Sequence, residues 1–143
     1  MKYSNYRNSD AWFGQHEKWL KASKNRCQLF PWVRVGKINR KYHKYNIHHL
    51  HRNAYRRQNK EKWNRDVIVL CPFAHKLVFH WLLSGGKKTV SEQKDFPNTQ
   101  QRVFNWYCRF VGIAVNVPAS IWLTSIMFFI GYVFVPDLIQ QQR

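Results

Sequence analysis

YNIHHLH (residues 45–51) and DVIVLCPFAHKLVFHWLLSGG (residues 66–86) decide the fold of this 143-residue chain. The first is a short extended run that contains a histidine pair. The second is an apolar, β-branched run that leads into a helix-like segment with two more histidines. Because apolar runs bounded by turn residues form strands, the pattern predicts strand, loop, strand and helix. The imidazoles would then gather where these elements meet.

The net charge of the chain is +17, from 24 lysines and arginines against seven acids. From residue 110 onward there is one acid and one base, so the whole surplus lies in residues 1–109. A domain this basic repels itself unless an anionic partner neutralises it. We therefore expect nucleic acid, the acidic surface of a membrane complex or an anionic lipid bilayer as the partner. The sequence leaves the oligomeric state open.

Residues 1–26 are predicted to contain an amphipathic helix from residue 11 to about residue 22. Ser9 or Asp10 would cap this helix. Large apolar residues recur at helical spacing and would line one face, which would pack on the core or lie on a bilayer. These residues are Trp12, Phe13, Trp19 and Leu20.

Residues 110–135 contain no charged side chain. At ~1.5 Å per residue, a helix of this length exceeds a hydrocarbon core of ~30 Å. The sequence therefore predicts a single transmembrane helix at 110–136, between a linker at 87–109 and a short tail at 137–143. Arg102 and Arg109 precede the span, so the positive-inside rule places the basic N-terminal domain on the cytoplasmic or equivalent side. A buried core helix and a water-soluble dimer that buries these helices are the alternatives.

The order His48-His49, then DVIVLCPFAH at 66–75, then His80 resembles the HNH endonuclease family. The branch it resembles carries H-H-L, a basic tyrosine-containing loop, D-hydrophobic-L-C-x-x-C-H and a trailing histidine. The resemblance covers less than half of the chain, and it implies the ββα-metal fold. In that fold a β-hairpin and a helix hold one divalent cation against the scissile phosphate. The predicted fold class is α+β, with a small HNH-like domain at 27–86 followed by the transmembrane helix.

The resemblance also implies a role for each site residue. His49 would be the general base, which suits a neutral imidazole with a pKa near ambient pH. Asp66 would orient this base, and Asn64 is a substitute candidate. The cation (Mg²⁺, Mn²⁺ or Zn²⁺) would be held by His48, His75 and His80. The nucleic acid backbone would be held without sequence readout by four basic residues: Arg52, Arg56, Arg57 and Lys60.

Two departures from the family pattern concern metal ligands. The last histidine usually lies four residues after the helix histidine, but His80 lies five after His75, about 140° away on an ideal helix. Either the helix start is distorted, or His80 contacts substrate, or the ligand set is incomplete. Many members also hold a structural zinc with two C-x-x-C pairs. Here Cys27 and Cys71 each lack the second thiol, so we expect this zinc to have been lost, with Phe30 packing at the strand–helix corner.

The sequence thus predicts a membrane-anchored, metal-dependent HNH-type nuclease that hydrolyses phosphodiester bonds of nucleic acid. The alternative hypothesis is a catalytically degenerate HNH-fold protein that acts as a small subunit or assembly factor of a membrane protein complex. A third hypothesis is a membrane-anchored nucleic-acid tether without catalysis. A transmembrane segment is foreign to the core of the family, and it is the third departure from its pattern.

Overall fold

The computed structural model describes residues 3–38, 40–85 and 95–125 of the chain. These residues form a small α+β domain. Its elements follow in this order: α1 (Tyr3–Arg7), α2 (Asp10–Ala22), β1 (Gly36–Ile38), β2 (Lys41–His43), β3 (Asn46–His49), a 3₁₀ helix (Arg52–Arg56), β4 (Val67–Leu70), a π-helix (Ala74–Leu82) and α3 (Thr99–Ala114).

The strands form two separate antiparallel pairs, β1 with β2 and β3 with β4. In the second pair His48 lies opposite Ile68 and His49 opposite Val67. All four residues of β4 are buried, as expected for a Val-Ile-Val-Leu run at the centre of a core. The π-helix follows β4 directly. The strand, loop, strand and helix predicted for residues 45–86 are therefore confirmed, although the helix takes the π form.

The predicted N-terminal helix is also confirmed as α2. Ser9 caps it by accepting a hydrogen bond from the backbone N–H of Trp12. Trp12, Trp19 and Leu20 pack into the core, whereas Phe13 is 57% exposed. The prediction that Phe13 shares the buried face is wrong, because the side of α2 that packs on the core includes only the other three of the four apolar residues.

Gln28 links α3 to the β3–β4 hairpin and is fully buried. Its side-chain oxygen accepts hydrogen bonds from the Val69 N–H and the Trp63 indole. Its side-chain nitrogen donates to the Asn64 side chain and to the Cys108 carbonyl on α3. Every hydrogen-bonding position of this amide is used, so the amide fixes where α3 docks.

Gly112 lets α3 approach this amide closely. A Cβ at Gly112 would lie 2.5 Å from Gln28 Nε2 and 2.6 Å from Asn64 Oδ1. The helix begins with a capping box formed by Asn98 and Gln101, and it runs through residues 109 and 110, where the sequence had predicted a boundary between linker and membrane span.

The prediction of a transmembrane helix at 110–136, and with it of a single-pass membrane protein, is wrong. Among the residues that the structure describes, no helix is both long and apolar enough to cross a membrane. The apolar stretch is broken, because α3 ends at Ala114 and a separate helical segment begins at 119. Asn116 ties the break to the domain by donating to the Ala22 carbonyl. The rest of the stretch and the predicted tail, residues 126–143, lie outside the described residues, as do residue 86 and residues 87–94 of the predicted linker.

Candidate metal centre

Three imidazoles converge where the hairpin meets the π-helix. β3 supplies His48, and the π-helix supplies His75 and His80. Each offers a ring nitrogen, and these nitrogens all lie within 4.8 Å of one another. The Nε2 atoms of His75 and His80 are 3.3 Å apart. Three nitrogens at this spacing can ligate one small divalent cation.

The π-helix explains why a five-residue spacing serves this site. A π-helix repeats its hydrogen bonds from residue i to i+5, so residues 75 and 80 become neighbours along one face. Phe79, the residue that an α-helix would bring over His75, instead enters the core and packs 4.4 Å from the His48 ring. Of the alternatives left open by the sequence, a distorted helix is therefore the one observed.

The environment keeps two of these imidazoles neutral at neutral pH. Burial, aided by the neighbouring His75, His80 and His49 rings, lowers the pKa of His48 well below its ordinary value. Burial likewise lowers the pKa of His75 to about 4, with smaller contributions from His80, Lys76 and His49. A neutral imidazole has a free lone pair on one ring nitrogen, and this neutral form is the one that binds a metal.

His49 lies on the strand beside the cluster, close enough to contribute to the lowered pKa of His75. Its ring is enclosed between two aromatic rings. The Trp12 ring on α2 stacks on it with a centroid distance of 5.5 Å and an interplanar angle of 10°. The Tyr55 ring stacks on it with a centroid distance of 4.2 Å and an interplanar angle of 22°. His49 is consequently only 3% exposed. The structure brings the predicted base to the site, but with both ring faces covered.

Glu61 is a site residue that sequence reasoning missed. Its side chain is fully buried, with Oε1 4.0 Å from His49 Nε2 and Oε2 accepting a 2.9 Å hydrogen bond from the Tyr6 hydroxyl. Glu61 lies in the segment at residues 51–65, whose polar and basic composition predicts that its side chains face solvent. One signal could have found it, because Glu61 is the sole acid between residues 18 and 65. A lone acid in so basic a stretch indicates a buried ionic partner.

Asp66, predicted to orient His49, is occupied elsewhere. Its buried carboxylate accepts hydrogen bonds from the Arg57 and Arg65 side chains and from the Lys62 N–H. His51 adds a contact of 3.1 Å. Because His51 Nδ1 accepts the Ala54 N–H, its proton lies on Nε2, which donates to Asp66. Asp66 thus holds the loop between β3 and β4 in place.

The remaining predicted residues divide between the surface and the core. The basic residues predicted to contact nucleic acid are all exposed: Arg52, Arg56, Arg57 and Lys60. Arg57 also forms an ion pair with Asp66. Cys27 and Cys71 adjoin each other in the core, where the Cys71 N–H donates to the Cys27 sulfur at 3.2 Å. Burial raises the pKa of Cys27 to about 11, so it is a protonated thiol at neutral pH.

No family model matches the chain, and no curated protein or solved structure shows significant similarity to it.

Proposed function

We propose that this chain is an HNH-type, metal-dependent nuclease whose ββα unit is formed by β3, β4 and the π-helix. The proposal rests on one observation above all, the convergence of His48, His75 and His80 with ring nitrogens within 4.8 Å. These residues come from two elements. His75 and His80 are five residues apart, one more than in the family pattern, and the π form of the helix still places them on one face. Histidines scattered on the surface would not need a π-helix to bring two of them onto one face.

The donor set favours a transition metal over Mg²⁺. Imidazole nitrogens suit Zn²⁺ best. Mn²⁺ also prefers oxygen ligands but accepts imidazole more readily than Mg²⁺, which keeps much of its water. Three protein ligands leave coordination positions for substrate or water. A cation held there would polarise the scissile phosphate and offset charge on the leaving oxygen.

The chain's own contribution to catalysis would come from His49 and Glu61. His49 would accept a proton from the attacking water, and the Glu61 carboxylate, 4.0 Å away, would orient the imidazole and offset its positive charge. In the observed conformation Trp12 and Tyr55 cover both faces of the ring. An imidazole accepts a proton at a nitrogen in the plane of the ring, and the His49 ring is only 3% exposed. The base therefore acts only after a movement that admits water to the edge of this ring.

Nucleic acid is the substrate class that the charge favours. Thirteen lysines and arginines and no acid lie between residues 18 and 60. Arg52, Arg56 and Lys60 are exposed on the loop that follows the His48-His49 pair, where they would bind backbone phosphates.

A non-catalytic role as a small subunit or assembly factor of a larger protein complex is the second candidate. The burial of His49 favours it, because a ring that is only 3% exposed leaves little access for water to its nitrogens. An apolar row along the exposed side of α3 also favours it, since such rows mark interfaces. The row comprises Val103, Trp106, Phe110 and Ile113.

Plasmid cleavage separates the two candidates. Purified full-length chain is incubated with supercoiled plasmid and Mn²⁺, Zn²⁺ or Mg²⁺, next to the His75→Ala and His49→Gln variants. The nuclease proposal expects nicking by the wild type with Mn²⁺ or Zn²⁺ and loss of nicking in both variants. Gln100→Ala, an exposed change on α3, is the control. Wild-type protein that binds the metal yet never nicks DNA would refute catalysis and favour the subunit role.

A further inference from the structure

β1 and β2 form a two-stranded ribbon that pairs with no other strand among the described residues. All three residues of β2 are exposed, although the Tyr42 ring contacts the Tyr45 ring, with centroids 6.1 Å apart. An isolated two-stranded ribbon is marginally stable in water. A partner bound along it would therefore add contacts that the domain itself does not supply.

The root of the ribbon is fixed to the domain core. Val35 is fully buried, and Gly36 has a φ of +74°, a conformation that favours glycine. A Cβ at Gly36 would lie 2.9 Å from a methyl group of Leu20 on α2. Two residues after β2, the Tyr45 hydroxyl is 3.1 Å from His16 Nδ1. These contacts at both ends fix the orientation of the ribbon relative to the core.

The ribbon and its two flanks carry a concentrated positive charge. Five basic side chains fall within eleven residues, and all five are exposed (Arg34, Lys37, Arg40, Lys41 and Lys44). In the part of the chain that the structure describes, none of them forms a salt bridge with an acid. The nearest acids in sequence are Glu17 and Glu61. Uncompensated cations on a projecting ribbon are suited to a polyanion.

Tyr42 adds an aromatic surface to this charge. It lies directly opposite Lys37 in the ribbon, so the two side chains share one face. The Tyr42 ring is 67% exposed. An exposed ring flanked by cations is the arrangement that stacks an unpaired base while the neighbouring phosphates are neutralised.

We propose that the β1–β2 ribbon, with the basic side chains of residues 34, 37, 40, 41 and 44, is a docking site for single-stranded nucleic acid. The cations would bind consecutive phosphates, and Tyr42 would stack on a base. An anionic bilayer fits less well, because interfacial binding needs a broad apolar face to enter the lipid, and the two strands offer one aliphatic side chain, Ile38, and one aromatic ring, Tyr42. This site adds to the loop at 52–60, and it rests on the proposed function only in sharing nucleic acid as the partner.

The test measures binding without cleavage. Full-length protein in EDTA is titrated into a fluorescein-labelled 16-nucleotide single strand at several KCl concentrations, and fluorescence anisotropy gives the affinity. The ribbon variant carries Arg40→Gln, Lys41→Gln and Lys44→Gln. Each phosphate contact on a single strand steepens the slope of log affinity against log salt by ~0.7, so losing three should flatten it by about 2 and weaken binding roughly 50-fold at 0.15 M KCl.

The control removes the same charge from α2 and the residues just after it, with Lys18→Gln, Lys21→Gln and Lys24→Gln, all exposed positions. We expect this variant to change the slope by less than half as much. Tyr42→Ala should weaken single-strand binding about tenfold, since base stacking is lost, and leave duplex binding unchanged. Thermal melts confirm that each variant is folded.

Equal weakening by the control triple would overturn the proposal, because it would show a response to net charge alone. Ribbon-dependent binding to phosphatidylserine vesicles, with oligonucleotide binding unaffected, would overturn it in favour of a lipid surface. The His75→Ala variant distinguishes failure of this proposal from failure of the proposed function, because it should lose nicking and still bind single strands in EDTA. A failure of catalysis alone would leave ribbon binding intact in EDTA, whereas a failure of the ribbon alone would leave metal-dependent nicking by a folded protein.

Discussion

Replacing Asp66 with asparagine should remove a pH-dependent part of the stability. Burial alone would raise the pKa of this carboxyl, but hydrogen bonds from Arg65 and the Lys62 N–H, with the charges of Arg57 and Arg65, lower it to about 2. The ordinary value is 3.8. A pKa that is lower in the folded state stabilises the fold above the unfolded pKa, and this stabilisation disappears as the pH falls from 3.8 towards 2.

The size of this effect follows from the shift. A pKa lowered by nearly two units corresponds to about 2.5 kcal/mol at pH 7. The side chains of Arg57 and Arg65 are 42% and 48% exposed, so solvent screening reduces the figure. We expect Asp66→Asn to lower the free energy of unfolding by about 2 kcal/mol at pH 7 and by about half of that at pH 3.

Urea unfolding of both proteins between pH 7 and pH 3 measures this difference. Glu17→Gln is the control, because Glu17 forms an exposed i,i+4 pair with Lys21 whose loss should leave the stability almost unchanged at every pH. A wild-type-to-variant difference that stays constant with pH would refute the reasoning. If folded Asp66→Asn lost metal-dependent nicking while its stability was unchanged, the orienting role predicted from the sequence would replace the structural one.

Three further predictions concern other parts of the domain. Glu61→Gln should lower the nicking rate about 10- to 100-fold with metal affinity unchanged, because it removes the carboxylate beside His49; an unaltered rate would remove Glu61 from the mechanism. Gly112→Ala should lower Tm by about 6 °C, since the new methyl group would press on the Gln28 amide and cost about 2 kcal/mol; an unchanged Tm would contradict the tight docking of α3. Ellman's reagent should label the native protein slowly and three thiols after denaturation, and fast labelling of the native protein would contradict the burial of Cys27, Cys71 and Cys108.

The sequence predicted the elements whose signal is local. The β-branched run before Pro72 became β4, and the histidine pair fell at the end of β3. Ser9 capped α2 as expected, because the side-chain bond that defines a cap involves residues only three apart. The grouping of His48, His75 and His80 followed from the resemblance to the HNH family instead, since His75 lies 27 residues after His48.

The features that the sequence did not predict depend on contacts between distant residues. Hydropathy placed residues 110–118 in a bilayer, but α3 is drawn onto the domain by a glutamine 84 residues before Gly112, and no window of neighbouring residues contains that bond. The π form of the helix arises because Phe79 must enter the core while His80 reaches the site. Glu61 was missed for the same reason, since its partners, Tyr6 and His49, come from separate elements.

Cobalt(II) titration of the metal-free protein tests the central claim most directly. The account predicts one ion per chain, with the visible absorption of a low-coordinate imidazole site and without a thiolate charge-transfer band. His48→Ala, His75→Ala and His80→Ala should each weaken binding by at least about 100-fold, beyond the loss typical of residues that only support ligands. Lys76→Ala, on the same helix between two of the ligands, should bind as the wild type does. Binding that survives all three histidine changes, or a thiolate band that places the ion on the cysteines, would contradict the account.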